Sequence, residues 1–270
     1  MPLFTSATIS KIIRQGSLPS PPSIVARLAK LLSDPNFDSA AVVELVESDP
    51  SSAARAINVA NSVAFKGASQ VRSVRDAVKR LGARQTRAVV ADHAMRSVFN
   101  PVSPSAMVLL KREWQLSAYV AGLLKQAAER DAKLAIPDEA YTLGLFHNIG
   151  LLPLMCAIPE PDTLFSSDEF YQEACRHAGP LGMLLTRQWA LGPQVEQVAR
   201  SFGQESTASC WEVTDTVAVA RIAAAGALKL KPYLSDSHLA TLRVKQIECL
   251  PKLDLLAEMQ NCAGQFQMAA

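Results

Sequence analysis

Apolar residues recur along most of this chain at helical spacing. Ile24, Leu28 and Leu31 fall on one face, and their pattern stops at Asp34-Pro35. Val42, Val43, Leu45 and Val46 mark a short helix over 39–47, after which Asp49-Pro50 supplies an N-cap and a first-turn proline for a helix over 51–61. Ser73 is placed to cap a helix over 74–81 that Gly82 ends, and the pattern resumes over 83–99 with Val89 and Val90 on its apolar side. The segment NPVSPS, residues 100–105, carries two prolines and two serines and reads as a linker. Beyond it the spacing predicts helices over 106–130, 138–156, 168–190, 193–203, 212–229, 237–248 and 252–265, punctuated by Pro137, Pro159, Pro161, Pro193, Pro232 and Pro251. No stretch alternates convincingly with period two, and no fixed-period repeat or low-complexity tract occurs. The expected fold class is all-α, in two packed helical lobes, the first over 1–100 and the second over 106–270.

Composition adds little that would redirect this picture. A chain of 270 residues, 49% of them hydrophobic, can bury a large core without disulfides or structural metal. Lys and Arg number 27 against 25 Asp and Glu, a balance too even to require nucleic acid or anionic lipid as a partner. The five cysteines, at 156, 175, 210, 249 and 262, nowhere form CxxC, so neither a disulfide framework nor a zinc knuckle is indicated and a reducing cytoplasm is the expected setting. The opening MPLFTSATISKIIRQG lacks the apolar core of a signal peptide, and the most apolar later run, 216–228, is too short to span a bilayer and is interrupted by Arg221. No membrane segment is expected.

Several motifs in order point to a family. LPSPPSIVARLAKLLSDP, ESDPSSAARAINVANSVAF and SVRDAVKRLGARQTRAVV carry a proline corner at Leu18 to Pro22, Asp49-Pro50, Ala60-Asn61-Ser62 and Leu81-Gly82. The Trp114 to Ala118 segment, GLFHNIG at 144–150 and GMLLTRQWALGP follow. Over about residues 10–203 the chain resembles the HDOD domains, bacterial signalling domains related to the HD metal-dependent phosphohydrolases. The resemblance implies an HD-domain-like helical bundle and a role in signal transduction.

In the HD superfamily a divalent metal is held by histidines from separate helices and by an adjacent His-Asp pair, and a metal-bound water attacks a phosphoester. Here the pair is His147-Asn148. Replacing a carboxylate by a neutral amide forfeits roughly 8 kcal/mol of gross Coulomb attraction to a divalent ion, taking about 4 Å and an effective dielectric near 20. Two residues after Trp114, where related catalytic members place a histidine, stands Leu116, and after WALGP the chain reads VARSFG, with Ser201 and Phe202 where relatives offer ligands. The resemblance therefore implies degenerate site positions at His147, Asn148 and Leu116, with no catalytic residue, no metal and no cofactor. His147 is expected to be a core histidine satisfied by Asn148, a backbone carbonyl or water, and Asn148 to keep the shape of the old aspartate at the Ile149-Gly150 turn. His177 shares a helix face with Glu173 but sits one residue out of the family's register, and His93 and His238 are expected at the surface.

A basic concentration remains. Arg72, Arg75, Lys79, Arg80, Arg84 and Arg87 fall within sixteen residues, a local potential that the near-neutral total conceals. It could dock an acidic protein, a nucleotide signal or nucleic acid, or be a solvated face; aromatic residues that would stack on bases are absent from it. Trp114 and Trp189 read as core anchors. The leading expectation is a non-catalytic HDOD-type module acting through protein–protein binding, with a nucleotide signal as a further ligand. The alternative is an HD-type metal-dependent phosphohydrolase with a divergent site around His147.

Overall fold

The computed structural model describes residues 10, 12, 18–65, 67–101, 103–131, 134, 137–157, 167–204, 208–230, 236–250 and 254–268. Among them every regular element is helical and no strand occurs. The helices are α1 (Ser23–Leu31), α2 (Ser39–Glu47), α3 (Pro50–Ala60), α4 (Val74–Leu81), α5 (Ala83–Val98), α6 (Pro104–Arg130), α7 (Pro137–Phe146), α8 (Leu151–Cys156), α9 (Ser167–Gln188), α10 (Pro193–Ser201), α11 (Val213–Ala227), α12 (Asp236–Cys249) and α13 (Leu255–Met268). The prolines at 159, 161, 232 and 251, read above as punctuation, lie outside the described residues.

Local chemistry accounts for the boundaries. The Asp49 side chain accepts from the backbone N–H groups of Ser51 and Ser52 and Pro50 opens α3, while Ser73 caps α4 by accepting from Asp76 N–H. Asn61 ends α3 and closes the following loop: its amide donates to the Val71 carbonyl at 2.8 Å and its oxygen accepts from Val71 N–H at 2.9 Å. The Pro/Ser segment read as a linker is also a helix start, with Ser103 accepting from Ala106 N–H and Pro104 in the first turn of α6.

α6 is the axis of the molecule, packed on α7, α8, α11 and α13, while α5 joins α1 and α3 to α7. One continuous apolar core runs from Ile12 to Ala263. The N-terminal corner is fastened to α9 across the chain: Trp189, buried, donates from its indole N–H to the Pro19 carbonyl at 2.9 Å. Trp114, expected as a core anchor, is only partly buried, with the Arg96 guanidinium 5.1 Å from its ring centre.

The single helix expected over 138–156 is two. At 147–150 the chain turns tightly, with Ile149 N–H bonded to the Phe146 carbonyl, Leu151 N–H to Asn148 and Leu152 N–H to Ile149, each three residues back. Pro153 explains the break, because it has no N–H to give the Ile149 carbonyl and its ring would collide with that carbonyl in a continuous helix. Glycines permit close passage on either side. A Cβ at Gly144 would lie 2.3 Å from Ala121 Cα on α6, and one at Gly150 would lie 1.9 Å from the Ala178 carbonyl oxygen on α9. The corner that carries His147 and Asn148 is thereby wedged between α6 and α9.

Candidate functional site

Four segments converge at that corner. α6 contributes Glu113 and Ser117, four residues apart on one face; the turn after α7 contributes His147 and Asn148; α9 contributes Tyr171 and Cys175; and α11 contributes Arg221. All seven are buried. The Arg221 and Glu113 side chains, 4% and 1% exposed, form the ion pair at the centre, with Arg221 Nη2 3.0 Å from Glu113 Oε2.

Around that pair the hydrogen bonds fix each group's role. Arg221 Nη2 also donates to the Tyr171 hydroxyl at 2.5 Å, and Arg221 Nη1 stands 2.9 Å from His147 Nε2. A guanidinium can only donate, so Nε2 accepts and the imidazole proton sits on Nδ1, which donates to the Gly144 carbonyl at 2.8 Å. Asn148 donates from Nδ2 to Glu113 Oε2 at 2.9 Å and accepts from the Ser117 hydroxyl at 2.9 Å.

Electrostatics follow from this geometry. Burial works against the Glu113 charge, but Arg221 and hydrogen bonds from Tyr171, Asn148 and Arg221 outweigh it and hold the carboxyl below its usual range. His147 is driven the other way: burial first, then the adjacent Arg221 charge, lower its pKa from 6.5 to about 3, so the ring is neutral at physiological pH. Burial pushes the Cys175 thiol up to about 12, which leaves it an unreactive apolar group.

This donor set does not fit a divalent metal. The His147 nitrogen that could bind one faces a guanidinium, a fixed positive charge 2.9 Å away. Asn148 presents its N–H end to Glu113, while its oxygen is taken by Ser117. Leu116 is buried apolar packing, and the groups that meet the His-Asn corner come from its helix neighbours Glu113 and Ser117. Among the described residues no three His, Cys, Asp or Glu side chains are placed to hold an ion. The cation that meets this corner is the chain's own Arg221 guanidinium.

A cavity of about 600 Å³, open mouth included, lies against the cluster, with His147 and Arg221 in its wall and Cys175, Ser201, Phe202, Thr214 and Ala218 among its lining. The Phe202 ring stands edge-on to His147 at 5.7 Å between centres, and the Arg221 guanidinium lies 5.1 Å from the Phe202 ring centre. His238, expected at the surface, is buried in this wall because α12 is drawn onto α11 by a second buried pair, Lys245 Nζ to Asp215 Oδ2 at 2.7 Å. His93 is half-buried, and His177 bonds Glu173 at 3.2 Å along α9.

The basic concentration divides. Arg72, Arg75, Lys79 and Arg84 are exposed. Arg80 instead donates to the carbonyls of Ala60 at 3.2 Å and Ser69 at 2.6 Å, and Arg87 donates to those of Trp189 and Ala190. Those two are fastenings between segments, so the six-cation face expected from sequence has four freely projecting members. Sequence reasoning noticed Arg221 only as an interruption of an apolar run. That interruption was the available signal, since a charge in a buried helix requires a buried partner. Glu113 and Tyr171 gave no comparable sign.

The HDOD domain model matches residues 18–205 of the chain. No curated protein matches its sequence. Among solved structures it is similar to a candidate metal-dependent phosphohydrolase from Shewanella amazonensis SB2B, with 20% identity, TM-score 0.71 and 96% of each chain covered. It is also similar to an HDOD domain protein of unknown function from Geobacter sulfurreducens, with 20% identity, TM-score 0.64 and 97% of this chain against 96% of that one. A candidate signal transduction protein from Marinobacter aquaeolei VT8 matches at 19% identity and TM-score 0.54, over 93% of this chain and 60% of that one. At these identities the likeness is one of fold. Arg221 lies beyond the matched 18–205 segment, so the cation of the cluster comes from the C-terminal helices.

Proposed function

This chain belongs to the HDOD domain family, and on that premise we propose that it is a non-catalytic signalling module of the bacterial cytoplasm that works by binding a protein partner. The observation that carries the reading is the Arg221 guanidinium 2.9 Å from His147 Nε2, in the position from which a metal would have to be bound. Five free cysteines and the lack, among the described residues, of a helix long and apolar enough to cross a membrane accord with that setting. The exposed quartet Arg72, Arg75, Lys79 and Arg84 offers an acidic partner, or the phosphates of a nucleotide signal, a positive face whose cations project into water.

Elemental analysis of protein purified without chelators, paired with phosphodiester hydrolysis, tests the first half of this reading. Metal far below one equivalent and no turnover above background are expected. One equivalent of tightly held iron, manganese or zinc, with turnover abolished by His147→Ala, would establish the phosphohydrolase alternative instead. For the second half, partners captured from the native cytoplasm should lose affinity when Arg75, Lys79 and Arg84 are reversed to Glu.

A further inference from the structure

The cavity beside the ion pair has a wall chemistry that the cluster itself does not use up. Arg221 carries five N–H donors, and three are matched: one from Nη1 to His147, and two from Nη2 to Glu113 and Tyr171. The Nε–H and the second Nη1–H have no partner among the described residues, although the side chain is only 4% exposed and forms part of the cavity wall. A buried guanidinium with two unmatched donors beside open space calls for an acceptor to enter that space.

The charge of that acceptor is limited by what surrounds it. Arg221 is paired at 3.0 Å with Glu113, which also has Arg112 Nε 3.9 Å from its other oxygen, and Lys245 is paired with Asp215, while His147 contributes no charge. An anion would shed its hydration only to share a guanidinium with a carboxylate 3.0 Å away. Val198, Phe202, Val217 and Ala218 make the rest of the wall largely apolar. Most of the roughly 600 Å³ is the open mouth, and the enclosed part, about 50 Å³, suits a molecule no larger than one small ring.

We propose that this cavity is a ligand site for a small, uncharged, largely apolar molecule bearing one carbonyl-type acceptor, which Arg221 reads through its unmatched N–H groups. The proposal rests on the reading of the cluster as a site without metal, and it gives that signalling module a chemical input. Binding would pack α9, α10 and α11 around one object, so occupancy can alter how the rim of the bundle is presented to a partner.

Three probes of matched size test it by calorimetry on the full chain: 2-pyridone, benzene and benzoate. 2-Pyridone should bind about tenfold or more tightly than benzene, the difference being the hydrogen bond to the guanidinium, and more tightly than benzoate. Ala218→Phe, which fills the cavity, should abolish binding while the melting temperature holds. Ser201→Phe at the lining serves the same purpose where Ala218→Phe lowers it. Equal affinity for benzene and 2-pyridone, preference for benzoate, binding that survives both substitutions, or no binding at all in metal-free protein would each overturn the proposal. A stoichiometric metal in the same preparation would overturn the functional reading instead, so the two failures are separate observations.

Discussion

Arg221 and Arg75 are the same residue type in opposite circumstances. Arg221 is enclosed by Glu113, Tyr171 and His147, whereas Arg75 projects from the outer face of α4, whose inner face buries Val74, Ala77, Val78 and Leu81. In the first case the charge dictates Glu113, Tyr171 and His147 as its neighbours, because away from the cavity wall an unmatched group would be cut off from water. In the second, water satisfies the cation and the neighbours are free to vary. The inner cluster can therefore hold a shape and register a ligand, while the outer face can set encounter rates with little effect on folding.

The largest test of that contrast removes the inner cation alone. Arg221→Met should cost about 3–5 kcal/mol, because it strands a buried carboxylate, and Glu113→Leu together with Arg221→Met should recover most of the loss. Urea melts of the single and double variants measure both, and a single variant within about 1 kcal/mol of the parent would mean that the cluster is wetter than its burial indicates.

Asn148→Asp comes next. The substitution looks like the repair of an HD pair, but it turns the donor now 2.9 Å from Glu113 Oε2 into a second carboxylate. We expect about 2–3 kcal/mol of destabilisation and no gain of metal binding. Restored metal uptake in this variant would show that ligands outside the cluster had been overlooked.

Acid offers a smaller, graded challenge. The folded His147 ring resists protonation until about pH 3, whereas in the unfolded chain it titrates at its ordinary 6.5. Above that value the group has no effect on the equilibrium; as pH falls from 6.5 toward 3 the unfolded state binds a proton that the fold excludes, and stability declines by about 1.4 kcal/mol per unit. Glu113 acts in the same direction, since its depressed carboxyl supports the fold at neutral pH and loses that support as acid reaches its folded-state value. Chemical denaturation at pH 6.5 and pH 5 should differ by about 2 kcal/mol from His147 alone, and His147→Leu should flatten that slope.

The smallest effect belongs outside. Reversal of Arg75, Lys79 and Arg84 to Glu should change stability by no more than about 0.5 kcal/mol per site, while slowing association with an acidic partner and removing much of its salt dependence. Arg80→Ala on α4 should cost about 1–2 kcal/mol, because its guanidinium holds two backbone carbonyls. Stopped-flow association at low and high salt, with melts of each variant, separates docking cations from fastening ones.

Helix positions were readable from the chain because caps and apolar spacing are local. Asp49-Pro50 and Ser73 sit where a helix must start, and the elements begin there, whereas Ser103-Pro104, read as part of a linker, opens α6. The break at 147–150 was missed because apolar periodicity continues through it, although Pro153 was the warning. At the site, His147, Asn148 and the Ser201-Phe202 region were reachable through motif order, and the structure brings them to one place. Glu113 and Tyr171 were not, because the choice of partners in a buried cluster depends on which helices meet, and that is decided by packing across 108 positions of sequence between Glu113 and Arg221. The division of the basic face was equally hidden, since Arg80 and Arg87 bind carbonyls of loops and not residues with a matching charge.

The origin of Arg221 on α11, outside the matched segment 18–205, bears on where this protein can be cut and recombined. A fragment trimmed to the shared segment would retain Glu113 and lose its counter-ion, together with one wall of the cavity. It should behave as a frayed intermediate and not as a portable domain. The apolar core runs on past the matched segment to Ala263. Any graft of this module into another receptor, or any comparison with a relative whose tail differs, has to carry α11 along with it.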